Sequence, residues 1–479
     1  MKFINTAVAV AVAALVAMPL ASANQQECVT TVDPMKDYFP DKVESIEASV
    51  WSMEYFNTYK VLTVDGMKYA LYQCGTEPPT GDDFESVVPV PVTEVVLSST
   101  TQIPYVEVFG ERDTIVGGTG TFWDRAPECF VRGEDEGIIK TGLDASNATE
   151  LIEMGIDPDT AVYIGTSPGV FKNHVRSRIW GEKTSEASSE WRKVYGALFN
   201  KEKEANEAFQ NTLDSHACVE KNAAFLADDN FKTIVWGSWA SFANGWDVAR
   251  EGSYYYNELA RICAADLLTG GTDGGGSISL FGRTYMTTEE FAAFAMNASA
   301  WIYPADDLEV YLNDTDVFSD AVKAIPAFQS GEVYDVQGTY NAWFNVRQLE
   351  ADVLLEDFCA VAGTISADGA GYTRRWFRNV FDESIAEPKV CIDYDAPLVV
   401  NSSPCFDLTA TMKPSASPSS VPTMPPTSTT AAPTAKPVAA PSADDATTAP
   451  TSAASTRMTA TATVLFFAGS ASFLLAFSL

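Results

Sequence analysis

A G-x-S-x-G motif is the first place in this sequence where residue types and spacing suggest catalysis. Residues 165–169 read GTSPG after an apolar stretch, as at the nucleophile of many hydrolases. In such a turn the residue after the nucleophile donates its backbone N–H to the oxyanion, but Pro168 has no N–H. The only histidines are His174, close behind Ser167, and His216, within a charged helical pattern. We therefore expect no enzyme, and a serine hydrolase using Ser167 is kept only as a remote alternative.

Two further motifs could suggest a phosphate or metal site. The glycine-rich stretch 274–276 lacks the Lys-Ser/Thr pair of a phosphate-binding loop. Tyr254 and Tyr256 could offer two phenolate oxygens to ferric iron, although a tyrosine triplet is more often structural. The sequence therefore predicts no intrinsic cofactor and no metal site.

Large aromatic residues follow predicted strands in both halves of the chain. Broad, rigid rings at such positions suit a bulky macrocycle with little charge, since they bury much area at low entropic cost. Two threonines also follow a strand, where a helix start can hold oxygen atoms of a ligand or simply be capped. The predicted ligand-binding residues are Thr100, Thr101, Trp123, Trp239, Trp246, Tyr254, Tyr340 and Trp343.

Strand and helix patterns alternate over residues 87–187 and again over residues 220–362. This alternation predicts an α/β fold with two mostly parallel-sheet lobes, and ligands of such sheets bind at the carboxyl ends of the strands. Between the lobes, apolar residues recur every three or four positions over residues 188–219. That stripe predicts one continuous bridging helix of roughly 45 Å. A binding cleft requires this rod to be unbroken and the aromatic rings to face the gap.

The ends of the chain carry targeting patterns. Residues 1–23 read as a secretory signal peptide, followed by an N-terminal extension over 24–86. Residues 363–407 form a cysteine-containing tail, and residues 408–454 a stalk rich in Ser, Thr and Pro. Residues 455–479 resemble the signal for a glycosylphosphatidylinositol anchor, with a single membrane span as the alternative. We therefore expect a cell-surface protein on the outer face of the plasma membrane.

The cysteines and the N-glycosylation tripeptides are also typical of a protein that passes through the secretory pathway. Eight cysteines in a secreted chain predict four disulfides, whose pairing the sequence leaves open. Four N-x-S/T tripeptides predict glycosylation at Asn147, Asn297, Asn313 and Asn401.

The charge balance excludes one class of partner. The chain has 64 acidic and 31 basic residues and a net charge of −33, so nucleic acid is not expected to bind. Anionic ferric chelates require converging arginines. The one basic cluster, Arg374, Arg375 and Arg378, lies outside the two predicted lobes. A neutral ligand is therefore favoured over an anionic one.

Three segments carry a family resemblance: VVLSS at 95–99, LFNKE at 198–202 and IPAFQSGEVY at 325–334. With these segments in this order, residues 87–362 resemble the class III solute-binding proteins. Those proteins are receptors for cobalamin and ferric siderophores. Among these the chain looks like the algal cobalamin acquisition proteins, and the ferrichrome-binding type is the close rival. The resemblance implies two lobes bridged by one helix, a transported ligand (cobalamin or a ferric chelate) and an unidentified uptake partner.

Overall fold

The computed structural model describes residues 24–408 except positions 82, 121–122, 228–231, 253, 281, 365–371 and 406. The chain divides into two units, Met1–Met412 and Lys413–Leu479. The predicted signal peptide, the stalk from residue 409 onward and the anchor signal lie outside the described residues. Within those residues, no helix has the length and apolar character needed to cross a membrane.

A four-stranded sheet precedes the first lobe. Its strands are β1 (Trp51–Tyr55), β2 (Tyr59–Val64), β3 (Met67–Gln73) and β4 (Phe84–Val90). Strands β1, β2 and β3 are antiparallel, and β4 runs parallel to β3. The first lobe was expected to open at residue 87, but residues 87–90 belong to this sheet. Val88 pairs with Leu71 and Val90 with Gln73, both of β3.

The sheet of the first lobe is parallel throughout. Its strands are β5 (Val95–Leu97), β6 (Ile115–Thr119), β7 (Lys140–Leu143), β8 (Val162–Gly165) and β9 (Asn173–Arg176), in the spatial order β7-β6-β5-β8-β9. All three residues of β5 are buried, as expected for a central strand covered on both faces. The helices of this lobe are α1 (Ile103–Glu107), α2 (Glu128–Asp135) and α3 (Ala148–Glu153).

The prediction of one continuous rod over residues 188–219 is wrong. The segment forms three helices, α4 (Ser185–Glu190), α5 (Arg192–Leu198) and α6 (Glu202–Leu226). The break before α6 lies at Asn200, whose φ is +55°, a left-handed conformation that asparagine tolerates better than most residues. Its Nδ2 donates to Gln25 O at 2.6 Å and to Gln73 Oε1 at 2.9 Å. Tertiary hydrogen bonds therefore stabilise the break.

Helix α6 alone still joins the two halves of the chain. Glu202, at its start, accepts a hydrogen bond from Lys60 of the N-terminal sheet at 2.5 Å. Val219 and Ala223, near its end, pack in the core of the second lobe. At 25 residues the helix is about 37 Å long. The predicted architecture, two mostly parallel sheets bridged by one long helix, is confirmed with the helix bounds corrected.

The second lobe is built on a six-stranded sheet. Its strands are β10 (Thr233–Ala240), β11 (Gly245–Val248), β12 (Asp266–Leu268), β15 (Ala300–Tyr303), β16 (Val333–Asp335) and β17 (Arg378–Asn379), and β13 (Ile278–Leu280) pairs with β14 (Arg283–Tyr285) in a separate hairpin. Strands β12 and β15 run parallel to β10, and β16 runs parallel to β15. The antiparallel strands β11 and β17 pair with β10 and β16. The helices are α7 (Tyr255–Ile262), α8 (Thr288–Phe294), α9 (Leu308–Tyr311), α10 (Asp320–Lys323), α11 (Pro326–Gln329) and α12 (Ala351–Ala362).

The prediction of four disulfides is confirmed. The pairs are Cys28–Cys74, Cys129–Cys391, Cys218–Cys405 and Cys263–Cys359. Two of them fasten the tail, which starts beside the second lobe, where β17 pairs with β16. Cys391 fixes it to α2 of the first lobe, and Cys405 fixes it to α6. The tail therefore connects both lobes and the bridging helix covalently.

Three ionisable side chains meet where α4, α6 and α7 pack together. His216 Nε2 lies 3.1 Å from Glu186 Oε1, although the geometry is not that of a hydrogen bond. Burial lowers the pKa of His216. Burial first, and then the charge of Glu186, raise the pKa of Glu258 to about 8. Glu258 therefore favours its protonated form at neutral pH, at the junction of three helices.

The stability of the protein should fall as Glu258 loses its proton. Because the pKa of Glu258 is higher in the folded than in the unfolded state, its contribution is complete below about pH 4.5 and is lost as the pH rises through about 8. Glu258→Gln does not titrate. We expect its free energy of unfolding, relative to the parent protein, to rise by about 1–3 kcal/mol between pH 5 and pH 8.5, after allowing for partial exposure. Urea unfolding at both pH values measures this, with the exposed Glu251→Gln as control. A difference that does not change with pH would contradict the prediction.

Candidate ligand-binding site

The four tryptophans predicted to face the cleft are core residues instead. Their exposed fractions are 5% for Trp123, 9% for Trp239, 0% for Trp246 and 3% for Trp343. Trp246 stacks on Phe291 with ring centroids 4.1 Å apart. The prediction that these rings line an open gap is therefore wrong, because neighbouring aromatic side chains and helices cover them.

The predicted threonines lie at a capped helix start. Ser99 Oγ accepts a hydrogen bond from the backbone N–H of Thr101, and the Gln102 side chain accepts from the backbone N–H of Ser99 at 3.2 Å. Thr100 and Thr101 are both partly exposed. The structure thus gives this segment a capping box, and a role for its threonines in ligand binding stays a prediction.

The two predicted tyrosines remain accessible. Tyr254 is partly exposed and stacks on Tyr256, with ring centroids 5.3 Å apart. The Tyr256 hydroxyl accepts a hydrogen bond from the backbone N–H of Arg250 at 3.1 Å. Tyr340 is 37% exposed, and its φ of +57° interrupts the 3-10 segment Gln337–Phe344. Of the eight predicted residues, Tyr340 is the one that borders the cavity described next.

A cavity of about 390 Å³ lies between the two lobes and the tail. The first lobe contributes the end of α1 and the start of α2, and the second lobe contributes the 3-10 segment that follows β16. Tail residues 388–393 and 396–399 form the remaining wall. The side chains that matter below are Glu107, Arg112, Thr339, Tyr340, Arg375 and Leu398.

A buried ion pair forms the first-lobe wall of this cavity. Helix α1 starts with Pro104 in its first turn and is buried along its length, so Glu107 at its end lies in the interior. Arg112 Nε donates to Glu107 Oε1 at 2.6 Å. Burial raises the pKa of Glu107 to about 7, although the hydrogen bond and the charge of Arg112 oppose the shift.

The tail is held against this ion pair. The backbone N–H of Leu398 donates to the carbonyl of Glu107 at 2.9 Å. Arg112 Nη1 donates to the carbonyl of Ala396 at 3.1 Å and also to that of Tyr394. The disulfide of Cys391 holds the same segment on α2. The outer wall of the cavity is thus fixed by both covalent and polar contacts.

The basic cluster predicted to lie outside the lobes is part of the second lobe. Arg378 belongs to β17, and both ends of its guanidinium contact Asp335, at 2.5 and 3.0 Å. Arg375 borders the cavity, but its Nε donates to Glu350 at 2.5 Å. Two arginines therefore border the cavity, and each is already paired with a carboxylate.

The described residues around Ser167 do not support the hydrolase alternative. Ser167 lies in an exposed loop. His174 is buried against the rings of Tyr69 and Tyr163, and its Nε2 has no hydrogen-bond partner within the described residues. Burial lowers the pKa of His174 to about 4. The imidazole is therefore a packing residue and does not hold a serine nucleophile.

Sequence reasoning missed Glu107, Arg112 and Thr339. A signal for Glu107 was present, because it is the one charged residue in the apolar run 103–109, where an unpaired charge would be costly. Nothing in the sequence brings Thr339 to the same cavity, since that contact depends on how the lobes meet.

No protein-family model matches the chain. A relative from Methanocaldococcus jannaschii, an uncharacterized lipoprotein, is 23% identical over 334 residues, covering 63% of this chain and 74% of the relative. Among solved structures, the vitamin B12-binding protein of Vibrio cholerae matches with a TM-score of 0.38 and 11% identity, over 57% of this chain and 98% of that protein. The petrobactin-binding protein YclQ of Bacillus subtilis matches with a TM-score of 0.42 and 14% identity, over 61% and 99%.

These structures are solute-binding proteins. That is the class of protein that the sequence resemblance predicted.

Proposed function

We propose that this protein binds a small, uncharged molecule between its two lobes and does not catalyse a reaction. The observation that carries the proposal is the cavity whose walls come from both lobes and from the tail. Its volume lies in the lower part of the range for ligand pockets. Among the described lining residues, Arg112 and Arg375 are both paired with glutamates, and the remaining cation, Lys389, is outnumbered by Glu128 and Asp393, so the lining has no excess of positive charge for an anion. The cleft predicted from an unbroken rod and from rings facing the gap is not present, so the support comes from this cavity and from helix α6, which still joins the two lobes.

Cobalamin is our first candidate ligand, because it is large, carries many neutral polar groups and has no cluster of negative charges. A corrinoid is bulkier than this cavity, so it would enter by one edge, because the disulfide of Cys391 and the hydrogen bonds of Arg112 hold the tail in place. An uncharged ferric hydroxamate such as ferrichrome is the alternative. Direct binding of ferric iron by Tyr254 and Tyr256 has less support, since the Tyr256 hydroxyl is engaged with the backbone of Arg250.

We further propose that the protein works at the cell surface. Four disulfides suit an oxidising, extracellular compartment. The M. jannaschii relative is named as a lipoprotein, which is consistent with a membrane-tethered binding protein. The four sequon asparagines are all exposed, so each can carry a glycan. The plasma membrane, reached through the C-terminal anchor, and an unidentified uptake partner complete this proposal.

Isothermal titration of the purified protein with three chelates tests the proposed ligand class. We expect saturable one-to-one binding of cyanocobalamin, weaker binding of ferrichrome and no binding of an anionic ferric catecholate. Calorimetry suits the test better than tryptophan fluorescence, because the four tryptophans predicted to bind the ligand are buried. Tighter binding of the catecholate than of either neutral ligand would overturn the proposal.

A further inference from the structure

Glu107 brings an unsatisfied acceptor to the cavity. Its side chain is fully buried, and Oε1 accepts the hydrogen bond from Arg112. Oε2 is also buried, and it has no hydrogen-bond partner among the residues that the structure describes. Leaving a buried acceptor unpaired costs about 1–3 kcal/mol, and more for a charged group. Neither Glu107 nor its Oε2 has exposed surface in this conformation, so a ligand donor would remove this cost after a small shift of the lining side chains.

Thr339 brings a second free oxygen from the other lobe. It lies in the segment Gln337–Phe344 and is only 8% exposed. Its Oγ1 likewise has no partner in the described part of the chain. Both residues border the same cavity. Two lobes therefore present hydrogen-bonding groups that the protein itself does not satisfy.

We propose that Glu107 and Thr339 select the ligand by its hydrogen-bond donors. Glu107 Oε2 accepts a hydrogen bond from an N–H of the ligand, and Thr339 Oγ1 bonds to a polar group beside it. This inference rests on the proposed function, the binding of a small molecule between the lobes. It adds the chemical class of the recognised group, a neutral donor such as a primary amide.

The charges around Glu107 exclude the other common groups. At pH 8, above the pKa of about 7 of Glu107, a carboxylate on the ligand would face an ionised carboxylate, and Arg112 already donates to Glu107 and to the tail carbonyls of Tyr394 and Ala396. An ammonium group would add a buried positive charge next to a carboxylate that Arg112 already neutralises. A neutral amide N–H satisfies Oε2 without changing the net charge of the cavity.

Two variants test the proposal through the affinity for cyanocobalamin at pH 8, where Glu107, with its pKa of about 7, is mostly ionised. Glu107→Gln keeps a carbonyl oxygen for Arg112 but places an NH₂ group where Oε2 was, so we expect about a ten- to hundredfold loss of affinity. Thr339→Val keeps the shape and removes a hydroxyl that has no protein partner. We expect it to fold normally and to lose about three- to tenfold in affinity. If Glu107→Gln fails to fold, Thr339→Val decides the outcome.

Matched controls come from the same lobe as Glu107 but away from the cavity. Glu94→Gln and Thr93→Val change exposed residues and should leave the affinity unchanged. If cyanocobalamin binds the parent protein, Glu107→Gln and Thr339→Val with equal affinity, the inference about Glu107 and Thr339 is wrong while the proposed function stands.

A second experiment can support the inference about Glu107 even if the proposed ligands do not bind. Crystals of the protein are soaked with propionamide and, in parallel, with propionate. We expect propionamide with its nitrogen at hydrogen-bonding distance from Glu107 Oε2, and no propionate at that place. Propionamide at Glu107 without binding of cyanocobalamin or ferrichrome would support the amide site and reject the proposed ligands. Propionate in place of propionamide would overturn the inference.

Discussion

Replacing Lys60 by Met should lower the free energy of unfolding by about 3–5 kcal/mol, because it leaves the carboxylate of Glu202 buried without its cation. Both side chains are completely buried, and Lys60 Nζ lies 2.5 Å from Glu202 Oε1. Burial lowers the pKa of Lys60, and Glu202 opposes that shift. Asn24 Nδ2 and the Tyr55 hydroxyl also donate to Glu202, at 2.6 and 3.3 Å, but neither carries a charge.

Urea unfolding at pH 7 measures this effect, and two further variants define its cause. Lys60→Met combined with Glu202→Gln removes both charges, so it should be less destabilised than Lys60→Met alone. Lys42→Met breaks an exposed pair with Asp37, whose nitrogen and oxygen are 3.0 Å apart, and should cost less than about 1 kcal/mol. If the double variant is as unstable as Lys60→Met, the loss comes from packing and the charge argument fails.

Removing the Cys129–Cys391 disulfide should cost about 2–5 kcal/mol of stability and free the outer wall of the cavity. The two cysteines are separated by 262 residues, so their bond restricts the unfolded chain strongly. We propose the variant Cys129→Ala/Cys391→Ala, with thermal unfolding and limited proteolysis as measurements. Cleavage is expected within residues 386–397, the stretch before Leu398 binds to the carbonyl of Glu107.

The pair Cys28–Cys74 provides the matched control, because it closes a loop of only 46 residues. In the chain-entropy description its removal should cost roughly 0.7 kcal/mol less than removal of Cys129–Cys391, because Cys218–Cys405 already shortens the loop that Cys129–Cys391 closes. It should also leave the tail resistant to protease. Equal losses from both double variants, with no new cleavage in the tail, would show that the tail is held without the disulfide.

The continuous apolar stripe over residues 188–219 shows where sequence periodicity stops being informative. Steps of three and four residues continue on both sides of Asn200, so the pattern alone cannot distinguish one helix from three. The break depends on partners far away in the chain. Asn200 bonds to Gln25 and Gln73, and its Oδ1 accepts from Lys60 at 2.9 Å.

The aromatic residues show a second limit. Trp239 lies in β10 and Trp246 in β11 of the second lobe. From the sequence, each position was compatible with a ligand-binding cleft and with the hydrophobic core. Tryptophan has a large apolar surface and one polar N–H, so it is compatible with both places. Which place it takes depends on whether a neighbouring helix covers it, and here Phe291 of α8 stacks on Trp246.

The sequence by itself determined the alternation of strands and helices, the two lobes and the number of disulfides. These follow from the local period of apolar residues and from the number of cysteines. Only the tertiary structure decided where the rod breaks, which cysteines pair and which side chains meet at the cavity. Glu107 and Thr339 are far apart in the chain, and both border the cavity only because two lobes and a tail pack together. Such long-range contacts leave no local period in a single sequence.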